Sequence, residues 1–578
     1  MYLGITGYNH ESSAALVDDN GVLINYYREE FLSRIKGDKT FPKRSINRIL
    51  EENNLKLSDL KSISFYERPL SCFLTILKTA AQNMPKSLPL VVHQCRNFDK
   101  SSISCYLDIA KLYPGLEKKL IYLDHHLSHT LTALPYSDIQ EDICSIVVDG
   151  FGDNSSTSIS IVNNKFDIRE LWSCDYPTSV GLFYSAITDF LGFQVNEGEY
   201  KVMGLSSFGN SDSKVAKKVY NLLKWDKANK KIALDMSYFS YHTSVVNSYS
   251  EKLKTLLGKP RNPFIALLPE DESFQYYADI AKGAQNAVVD ILSEIFNFAY
   301  SLTGTKNFLF SGGVAMNSAA LDKLAALPNV DKIIIPPSPG DAGSAIGAAY
   351  YSYLKNKKNP IIKLPKPSLF PSFFNSTSQN KLAQKIISKN FEIITSDMKE
   401  AILITARLIN QGEVIGTTIN NAETGPRALG HRSLICDGTN KDAVRTLNTV
   451  IKNRSPFRPT APAMKIDVAK KYYHLREEIM DCYSSMTATC KCKENSVSLD
   501  FPTTHVDSTA RLQIVQEGDF LYKILSELEE YNIEILANSS LNLSGDPTSF
   551  DLIDSLMVTA CSPLKYMLTD FALLEKTI

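Results

Sequence analysis

Three of the nine histidines in this 578-residue chain lie within five residues, at 125, 126 and 129. His125 and His129 are four residues apart, so a helix would place both on one face, as in other paired metal-binding histidines. Asp149 and Asp341 each follow a predicted strand and offer carboxylates to complete the set. Mixed imidazole and carboxylate ligands favour iron, manganese or zinc over calcium or magnesium. The alternative is an ordinary pair of surface histidines.

Two glycine-rich segments follow predicted buried strands and lead into helices, at residues 311–317 and 339–343. Glycines at such positions let a nucleotide approach the backbone closely. Each segment alone is compatible with a simple turn. Together they favour a nucleotide site, with Gly312, Gly313 and Asn317 as candidate contacts.

The C-terminal third carries cations in stiff, turn-rich segments, at residues 425–433, 452–459 and 505–511, followed by a polar segment at 538–542. Arginine offers a planar fork that matches the oxygens of phosphate or carboxylate. We expect at least three of these cations to converge on one small anion. Surface salt bridges are the alternative for individual members.

A repeat indicates the elements that would position these residues. Without gaps, residues 4–21 align with residues 147–164, so that Gly7 falls on Gly150 and Asn20 on Asn163. Each copy reads as a strand, a polar turn, a second strand and a hairpin turn. The repeat predicts a duplicated domain with a cleft between its halves, the alternative being two unrelated hairpins. Alternating helix and strand signals after residue 150 predict an α/β fold.

The composition suits a globular protein, with 44% hydrophobic and 22% charged residues and a net charge of −1. This balance gives no bulk attraction to nucleic acid or membranes, so we expect neither as a partner. The sequence shows no signal-peptide pattern and no membrane-length apolar run, which favours a cytoplasmic location. A Lys-, Pro-, Asn- and Ser-rich stretch predicts a linker at 356–380 between domains at 1–355 and 381–578.

At these residues the chain resembles the O-carbamoyltransferases of nodulation-factor, antibiotic and toxin biosynthesis. The resemblance covers nearly the whole length. It rests on the segments at 9–13, 33–36, 41–42, 125–129, 148–150 and 197–205, on the Gly-Gly-Val-Ala-Met-Asn run at 312–317, on 339–343, and on the four C-terminal segments. Ser508 departs from the family pattern, in which glycine is common at that position.

The resemblance implies an N-terminal actin-like (ASKHA) domain related to tRNA threonylcarbamoyl transferases and a C-terminal YrdC-like domain. The latter would form carbamoyl adenylate from carbamoyl phosphate and ATP with Mg. The former would transfer the carbamoyl group to a hydroxyl of a small-molecule natural product. Iron(II) is the expected metal, with zinc or manganese as alternatives.

The resemblance also assigns roles to residues. His10 would be catalytic, and its near-neutral pKa would allow it to take the hydroxyl proton. The implied metal ligands are His125, His129, Asp149 and Asp341. The nucleotide and carbamoyl adenylate would be bound by Lys36, Lys201, Gly312, Gly313 and Asn317. Carbamoyl phosphate would be bound by Arg427, Lys452, Arg458, Arg511, Ser540 and Asn542.

Two other functions remain open from the sequence. One is a tRNA threonylcarbamoyladenosine-type modification enzyme, against which the neutral charge argues. The other is a kinase-like or non-enzymatic member of the actin-type fold, which would not require the C-terminal cations. The acceptor is not marked by any motif; the saxitoxin-type toxin branch is our hypothesis, and formation of a homodimer is left open.

Overall fold

The computed structural model describes residues 1–137, 141–357, 360, 362, 369–370, 377–454, 457–458 and 460–577. The chain forms two compact units. The first contains Met1–Glu29 and Gly37–Pro365, and the second contains Glu30–Lys36 and Lys366–Ile578. Both combine helices with β-sheets, which confirms the predicted α/β class. Most of the predicted linker lies outside the described residues, so the predicted boundaries stay a prediction.

The first half of the first unit is built on a five-stranded sheet of order β3-β2-β1-β4-β5. Its strands are β1 (Tyr2–Thr6), β2 (Ser13–Val17), β3 (Leu23–Arg28), β4 (Ser62–Phe65) and β5 (Leu120–Tyr122). The helices in this stretch of chain are α1 (Glu29–Ser33), α2 (Lys43–Glu52), α3 (Pro69–Gln82), α4 (Leu88–Arg96), α5 (Cys105–Leu112) and α6 (His125–Ala133). Both faces of β1 are buried, as expected for a central strand covered by helices.

The second half has a five-stranded sheet of order β12-β11-β6-β7-β8. Its strands are β6 (Ile143–Gly152), β7 (Ser155–Val162), β8 (Ile168–Asp175), β11 (Asn307–Ser311) and β12 (Lys332–Ile334), and a separate hairpin joins β9 (Leu223–Asp226) and β10 (Lys231–Leu234). The helices are α7 (Val180–Phe190), α8 (Glu199–Ser206), α9 (Lys214–Tyr220), α10 (Glu251–Leu257), α11 (Phe274–Thr303), α12 (Ser318–Ala325) and α13 (Ser344–Asn356).

The two sheets repeat the same topology, which confirms the predicted duplication. In each, the first three strands are antiparallel and the last two run parallel to the first. The gap-free alignment also gives the right register. Tyr2 pairs with Val17 in the first copy, and the aligned residues Ser145 and Ser160 pair in the second.

The last helix of each half packs on the sheet of the other half. Helix α6 follows β5 and packs against β6 and β11, while α13 follows β12 and packs against β1 and β2. The two helices cross closely because Gly347 of α13 and Gly343, the residue just before α13, carry no side chain. A Cβ at Gly347 would lie 1.9 Å from the carbonyl oxygen of Ser128 on α6, and one at Gly343 would lie 3.1 Å from Thr132 Cγ2.

The second unit contains an eight-stranded mixed sheet of order β14-β25-β24-β15-β17-β23-β18-β22. These strands are β14 (Phe391–Thr395), β15 (Ile415–Thr418), β17 (Arg432–Asp437), β18 (Ala461–Lys465), β22 (Gln513–Val515), β23 (Leu536–Ser540), β24 (Tyr566–Thr569) and β25 (Leu573–Lys576). Smaller sheets pair β13 (Leu369–Phe370) with β16 (Ala422–Glu423), and β20 (Cys490–Cys492) with β19 (Tyr473–His474) and β21 (Thr509–Ala510).

Helices cover both faces of the large sheet. They are α14 (Thr377–Asn390), α15 (Met398–Asn410), α16 (Lys441–Arg445), α17 (Ile466–Tyr472), α18 (Met480–Ser484), α19 (Phe520–Leu528) and α20 (Leu552–Ala560). Alternate residues of β17 enter different cores: Ile435 packs with α15 and α19, and Leu434 packs with α16 and α20. No helix among the described residues has the length and apolar character needed to span a membrane.

Candidate metal centre and anion site

The structure brings together the four predicted metal ligands. His125 and His129 lie one turn apart on α6, Asp149 lies on β6, and Asp341 lies between β12 and α13. One ligand atom from each residue falls within 4.8 Å of the others, and all four residues are buried. The set joins the two halves of the duplicated unit, since α6 belongs to the first half and both aspartates to the second.

Hydrogen bonds outside the set orient its ligand atoms. His129 Nδ1 lies 3.1 Å from the carbonyl oxygen of Pro339, which can only accept, so in the neutral imidazole Nδ1 carries the proton and Nε2 keeps its lone pair. That Nε2 lies 3.3 Å from Asp149 Oδ2 and 3.3 Å from Asp341 Oδ1. The backbone N–H of Gly313 donates to Asp149 Oδ1 at 3.0 Å, which leaves Oδ2 directed at the histidines. Partners of this kind fix ligand orientation in metal sites.

The electrostatics of the set favour a cation. Burial acts to lower the pKa of His125, but Asp341 and Asp149 outweigh it and raise that pKa to about 10. Burial acts to raise the pKa of Asp149, yet the two histidines hold it well below its usual value. Two buried carboxylates facing two imidazole nitrogens therefore fit a divalent transition metal, and they fit calcium or magnesium less well.

His10 lies beside this set, on the turn between β1 and β2. Its Nε2 is 3.9 Å from Asp341 Oδ2, and its side chain is 35% exposed. Burial acts to lower the pKa of His10, but the carboxylates of Asp341 and Glu11 outweigh it, and the pKa is raised. The turn brings a titratable, partly accessible imidazole to the rim of the metal-ligand set.

The two glycine segments predicted to bind a nucleotide brace the metal ligands. Gly312 has φ +90°, and a Cβ there would lie 2.3 Å from the carbonyl oxygen of Val148. Its N–H donates to the Pro339 carbonyl at 2.9 Å, which ties the segments together. Together with the Gly313 bond to Asp149, this contact holds the ends of β6, β11 and β12 as one group.

The other predicted nucleotide contacts lie on different elements of the chain. Asn317 exchanges two amide hydrogen bonds with Gln285 of α11, at 2.9 and 3.1 Å. Lys201 lies on α8, with its ammonium 5.6 Å from the centre of the Phe193 ring. Lys36 belongs to the second unit. A nucleotide role for these residues stays a prediction.

A cation cluster occupies the second unit. Burial lowers the pKa of Arg511 well below its usual value, and Arg427, Arg454 and Arg458 lower it further. The Nε of Arg511 is buried without a hydrogen-bond partner, and no acidic partner is recorded for it among the described residues. Cations held close together repel one another and attract an anion, so the cluster has the character of an anion site.

Lys452 organises the adjoining polar segment. Its buried ammonium donates to the carbonyl oxygens of Ser540, at 2.6 Å, and Asn542, at 2.8 Å, and to the side-chain oxygens of both. Burial, followed by Arg454 and Arg458, lowers its pKa well below the usual value. Three residues predicted to bind carbamoyl phosphate are thus in mutual contact.

The structure adds Arg454 to the predicted cations. Arg454 stands between Lys452 and Arg458 in the same segment but was left out of the predicted site. The position of Arg454 within this cation-rich segment could have identified it from the sequence. Ser455, Pro456 and Pro459 of that segment lie outside the described residues.

Arg432 illustrates a different use of a buried arginine. It is fully buried on β17, and its guanidinium donates to the carbonyl oxygens of Ile419, Asn420, His431 and Phe550. These bonds satisfy the charge within the protein and hold three loops together. Its role is therefore structural.

A segment from the N-terminal part of the sequence also belongs to the second unit. Within Glu30–Lys36, Phe31 stacks on Phe550, with ring centres 5.4 Å apart and planes 10° apart. Arg34 lies 3.1 Å from Asp554 and donates to the carbonyl of Thr548 at 2.9 Å. Lys36, at the end of the segment, lies close enough to Lys452 to contribute to its lowered pKa. No pattern in the sequence indicates that this segment docks there.

Comparison with known proteins agrees with these features. The family model described as carbamoyltransferase N-terminus matches residues 1–350, and the one described as carbamoyltransferase C-terminus matches residues 406–576. The uncharacterised protein sll1178 of Synechocystis sp. is 30% identical over 609 residues, which cover 100% of this chain and 96% of that protein.

Two relatives with functional names match at lower identity. Nodulation protein NolNO of Sinorhizobium fredii is 26% identical, over 98% of this chain and 79% of its own. The 3'-hydroxymethylcephem-O-carbamoyltransferase of Streptomyces clavuligerus is 27% identical, over 41% of this chain and 42% of its own. These matches place the chain among the transferases. It belongs to the carbamoyltransferase family and is a carbamoyltransferase, as the resemblance predicted.

Proposed function

We propose that this enzyme is an ATP-dependent O-carbamoyltransferase that works in two steps. In the first, carbamoyl phosphate, ATP and water give carbamoyl adenylate, pyrophosphate and phosphate. In the second, the hydroxyl oxygen of a small molecule attacks the carbamoyl carbon, AMP leaves, and a carbamate ester forms. We assign the first step to the second unit, as a YrdC-like domain, and the second step to the duplicated, actin-like first unit.

The cation cluster carries this proposal. A carbamoyl transfer that needed only the metal-ligand set and His10 would have no use for several closely set cations in a separate unit. Arg427, Arg454, Arg458 and Arg511 suit the phosphoryl oxygens of carbamoyl phosphate and ATP. Lys452 holds Ser540 and Asn542 beside them. Closely set cations of this kind also stabilise the charge that develops during phosphoryl transfer.

In the first unit, His10 is proposed to accept the proton of the attacking hydroxyl. His125, His129, Asp149 and Asp341 would hold a divalent metal, iron in our proposal, which when bound supplies a Lewis acid for the carbamoyl oxygen. His10 has the accessibility this role requires, because its side chain is 35% exposed beside the buried ligand set. The turn that carries it fixes the imidazole near the reacting group.

The test is formation of a carbamate ester from labelled carbamoyl phosphate with a panel of candidate alcohols. We expect product only when carbamoyl phosphate, ATP and an acceptor are all present, and AMP as the nucleotide product. Equal turnover without ATP would refute the adenylate step, and ADP as product would point to a kinase-like reaction. A guanidinium-bearing alcohol of the saxitoxin type is our proposed acceptor, which the same panel examines. Tight, salt-sensitive tRNA binding would instead support the tRNA-modifying alternative.

Two substitutions separate the steps. His10→Asn should lower ester formation about 100-fold or more, while carbamoyl phosphate-dependent ATP–pyrophosphate exchange survives. Arg458→Ala should abolish the exchange, and Arg407→Ala, which removes an exposed arginine of α15, is the matched control. Loss of both activities in His10→Asn would contradict the assignment of the steps to separate units.

A further inference from the structure

A buried carboxyl group near His10 has no role in the mechanism above. Tyr66 and Glu67 follow directly after β4, and each is only 1% exposed. Burial raises the pKa of Glu67 to about 7, with His125 opposing the rise. An acidic side chain is seldom buried this deeply without a structural or functional reason.

Both residues bind the turn that carries His10. The side-chain amide nitrogen of Asn9 donates to Glu67 Oε2 at 2.8 Å and to Tyr66 Oη at 3.0 Å. Asn9 is the residue immediately before His10. An amide group whose two N–H bonds are both engaged cannot rotate freely, so the backbone at His10 is held from one side.

The same turn is constrained from its other end. Tyr8 has φ +75°, a conformation that is costly for a bulky side chain and persists only when its surroundings impose it. Its hydroxyl donates to Asp108 Oδ2 at 2.6 Å, and its backbone N–H donates to the Lys39 carbonyl at 2.7 Å. Among the described residues, the ion-pair contact of the His10 imidazole is the one to Asp341, at 3.9 Å. Its direction is therefore set mainly by the turn.

Tyr66 also contacts the metal-ligand helix. Its ring centre lies 5.2 Å from that of His125, at the start of α6. The Tyr66–Glu67 pair thus touches both the His10 turn and a metal-ligand side chain. It is placed to fix the distance between the group that would take the proton and the centre where the carbamoyl group would be held.

We propose that Glu67, together with Tyr66, is a positioning residue for His10 and acts through the side chain of Asn9. The inference rests on the proposed function, because it gives His10 its role in proton transfer. Proton transfer requires heavy atoms within about 2.6–3.2 Å of one another, so a small rotation of the turn removes His10 from reach. Substitution of Glu67 should therefore leave substrate binding and the adenylate step unaffected.

The experiment compares Glu67→Leu with Glu67→Gln in the full-length enzyme loaded with metal. Leucine removes the acceptor for Asn9, whereas glutamine keeps an oxygen at the same place. For Glu67→Leu we expect kcat of ester formation to fall about 10- to 100-fold, because a displaced base loses only part of the rate enhancement that a well-positioned base supplies. The KM values, the metal content and the ATP–pyrophosphate exchange should match those of the unmodified enzyme. Glu67→Gln should restore most of kcat.

A double-mutant cycle tests the route through Asn9. Asn9→Ala should lower kcat as Glu67→Leu does, and the double variant should be no slower than either single variant. Additive losses, loss of metal, or equal defects in the leucine and glutamine variants would overturn the inference.

Hydrogen exchange provides a readout that does not depend on activity. The backbone amides of residues 7–12 should exchange faster in Glu67→Leu than in Glu67→Gln. If these amides respond while the unmodified enzyme forms no ester, the proposed function fails and the structural link stands. If the unmodified enzyme is active and these amides do not respond, the inference alone fails.

Discussion

At the scale of single residues, the second unit uses two arginines in opposite ways. Arg432 donates to carbonyl oxygens of the protein, so its guanidinium is satisfied internally. Arg511 lies near Arg427, Arg454 and Arg458, and its Nε is buried without a hydrogen-bond partner. Composition alone would not distinguish them. The difference lies in what their hydrogen bonds reach, and it leads to opposite expectations on substitution.

Replacing Arg511 by leucine should stabilise the protein while abolishing the first step. The substitution removes a cation repelled by its neighbours, so we expect a higher melting temperature by calorimetry and loss of ATP–pyrophosphate exchange. Arg432→Leu is the matched control. This substitution leaves several buried carbonyl groups without a hydrogen-bond donor. It should lower the free energy of unfolding by about 3–5 kcal/mol. Equal destabilisation by both substitutions would contradict an anion-binding role for Arg511.

Much of the candidate site could be predicted from the sequence at the scale of single residues. The i, i+4 spacing placed His125 and His129 together, because helix geometry converts that spacing into contact. The membership of Asp149 and Asp341 followed from family resemblance and from their positions at strand ends. The bracing by Gly313 and Pro339 was not foreseen, since their segments are also typical of nucleotide binding. Such a bond depends on how distant strands end in space, which a local pattern does not contain.

At the scale of elements, the crossing of α6 and α13 determines whether the metal ligands meet. The histidines lie on α6, and Asp341 directly precedes α13. Gly347 of α13 allows the two backbones to touch, because a side chain there would collide with the Ser128 carbonyl. The metal-ligand set therefore depends on residues that are not ligands.

Substituting Gly347 by alanine should push the two helices apart. Overpacking of this kind costs about 1–3 kcal/mol, so we expect a lower melting temperature and less metal bound per chain, measured by elemental analysis. Gly340→Ala is the control, because its Cβ would meet the Met316 side chain no closer than 3.4 Å. If both variants bind metal as the unmodified enzyme does, the crossing does not set the ligand geometry.

The segment Glu30–Lys36 gives a second prediction at this scale. Arg34→Ala removes the contacts to Asp554 and Thr548, so Lys36 should no longer be held near Lys452. We expect the ATP–pyrophosphate exchange to fall about tenfold, mainly through a higher KM for carbamoyl phosphate or ATP. Arg44→Ala, which removes an exposed arginine of α2, should leave the exchange unchanged. An unchanged KM in Arg34→Ala would show that the segment does not serve the anion site.

Elements were predicted unevenly from the sequence. The repeat gave not only the duplication but also the strand register, because side-chain alternation allows no slip of one residue without exposing the core. The docking of Glu30–Lys36 was not predicted, because its stacking and ion-pair partners lie at positions 550 and 554, far away along the chain.

At the scale of the whole molecule, two chemically different sites lie in two units of one chain. The metal-ligand set draws on the first unit only, and the cation cluster draws on the second unit only. This separation gives each proposed step its own requirements, which can be removed one at a time.

Removal of the metal should affect one step alone. After dialysis against a chelator we expect ester formation to be lost, while carbamoyl phosphate-dependent ATP–pyrophosphate exchange remains in the presence of Mg. Adding back iron, manganese or zinc separately should show which ion restores transfer. Loss of the exchange along with transfer, not recovered by Mg, would indicate that both steps share the metal.

The path of the chain limits how this enzyme can be divided. The polypeptide enters the second unit at Glu30, leaves it after Lys36, and returns to it only beyond residue 365. A single cut of the gene, between the regions that encode the long segments of the first and second units, would leave the C-terminal product without Phe31 and Arg34. A self-sufficient second unit could therefore not arise from this architecture by simple fission, nor be obtained as a plain C-terminal fragment. It would require the short N-terminal peptide to be supplied again, in trans or by grafting.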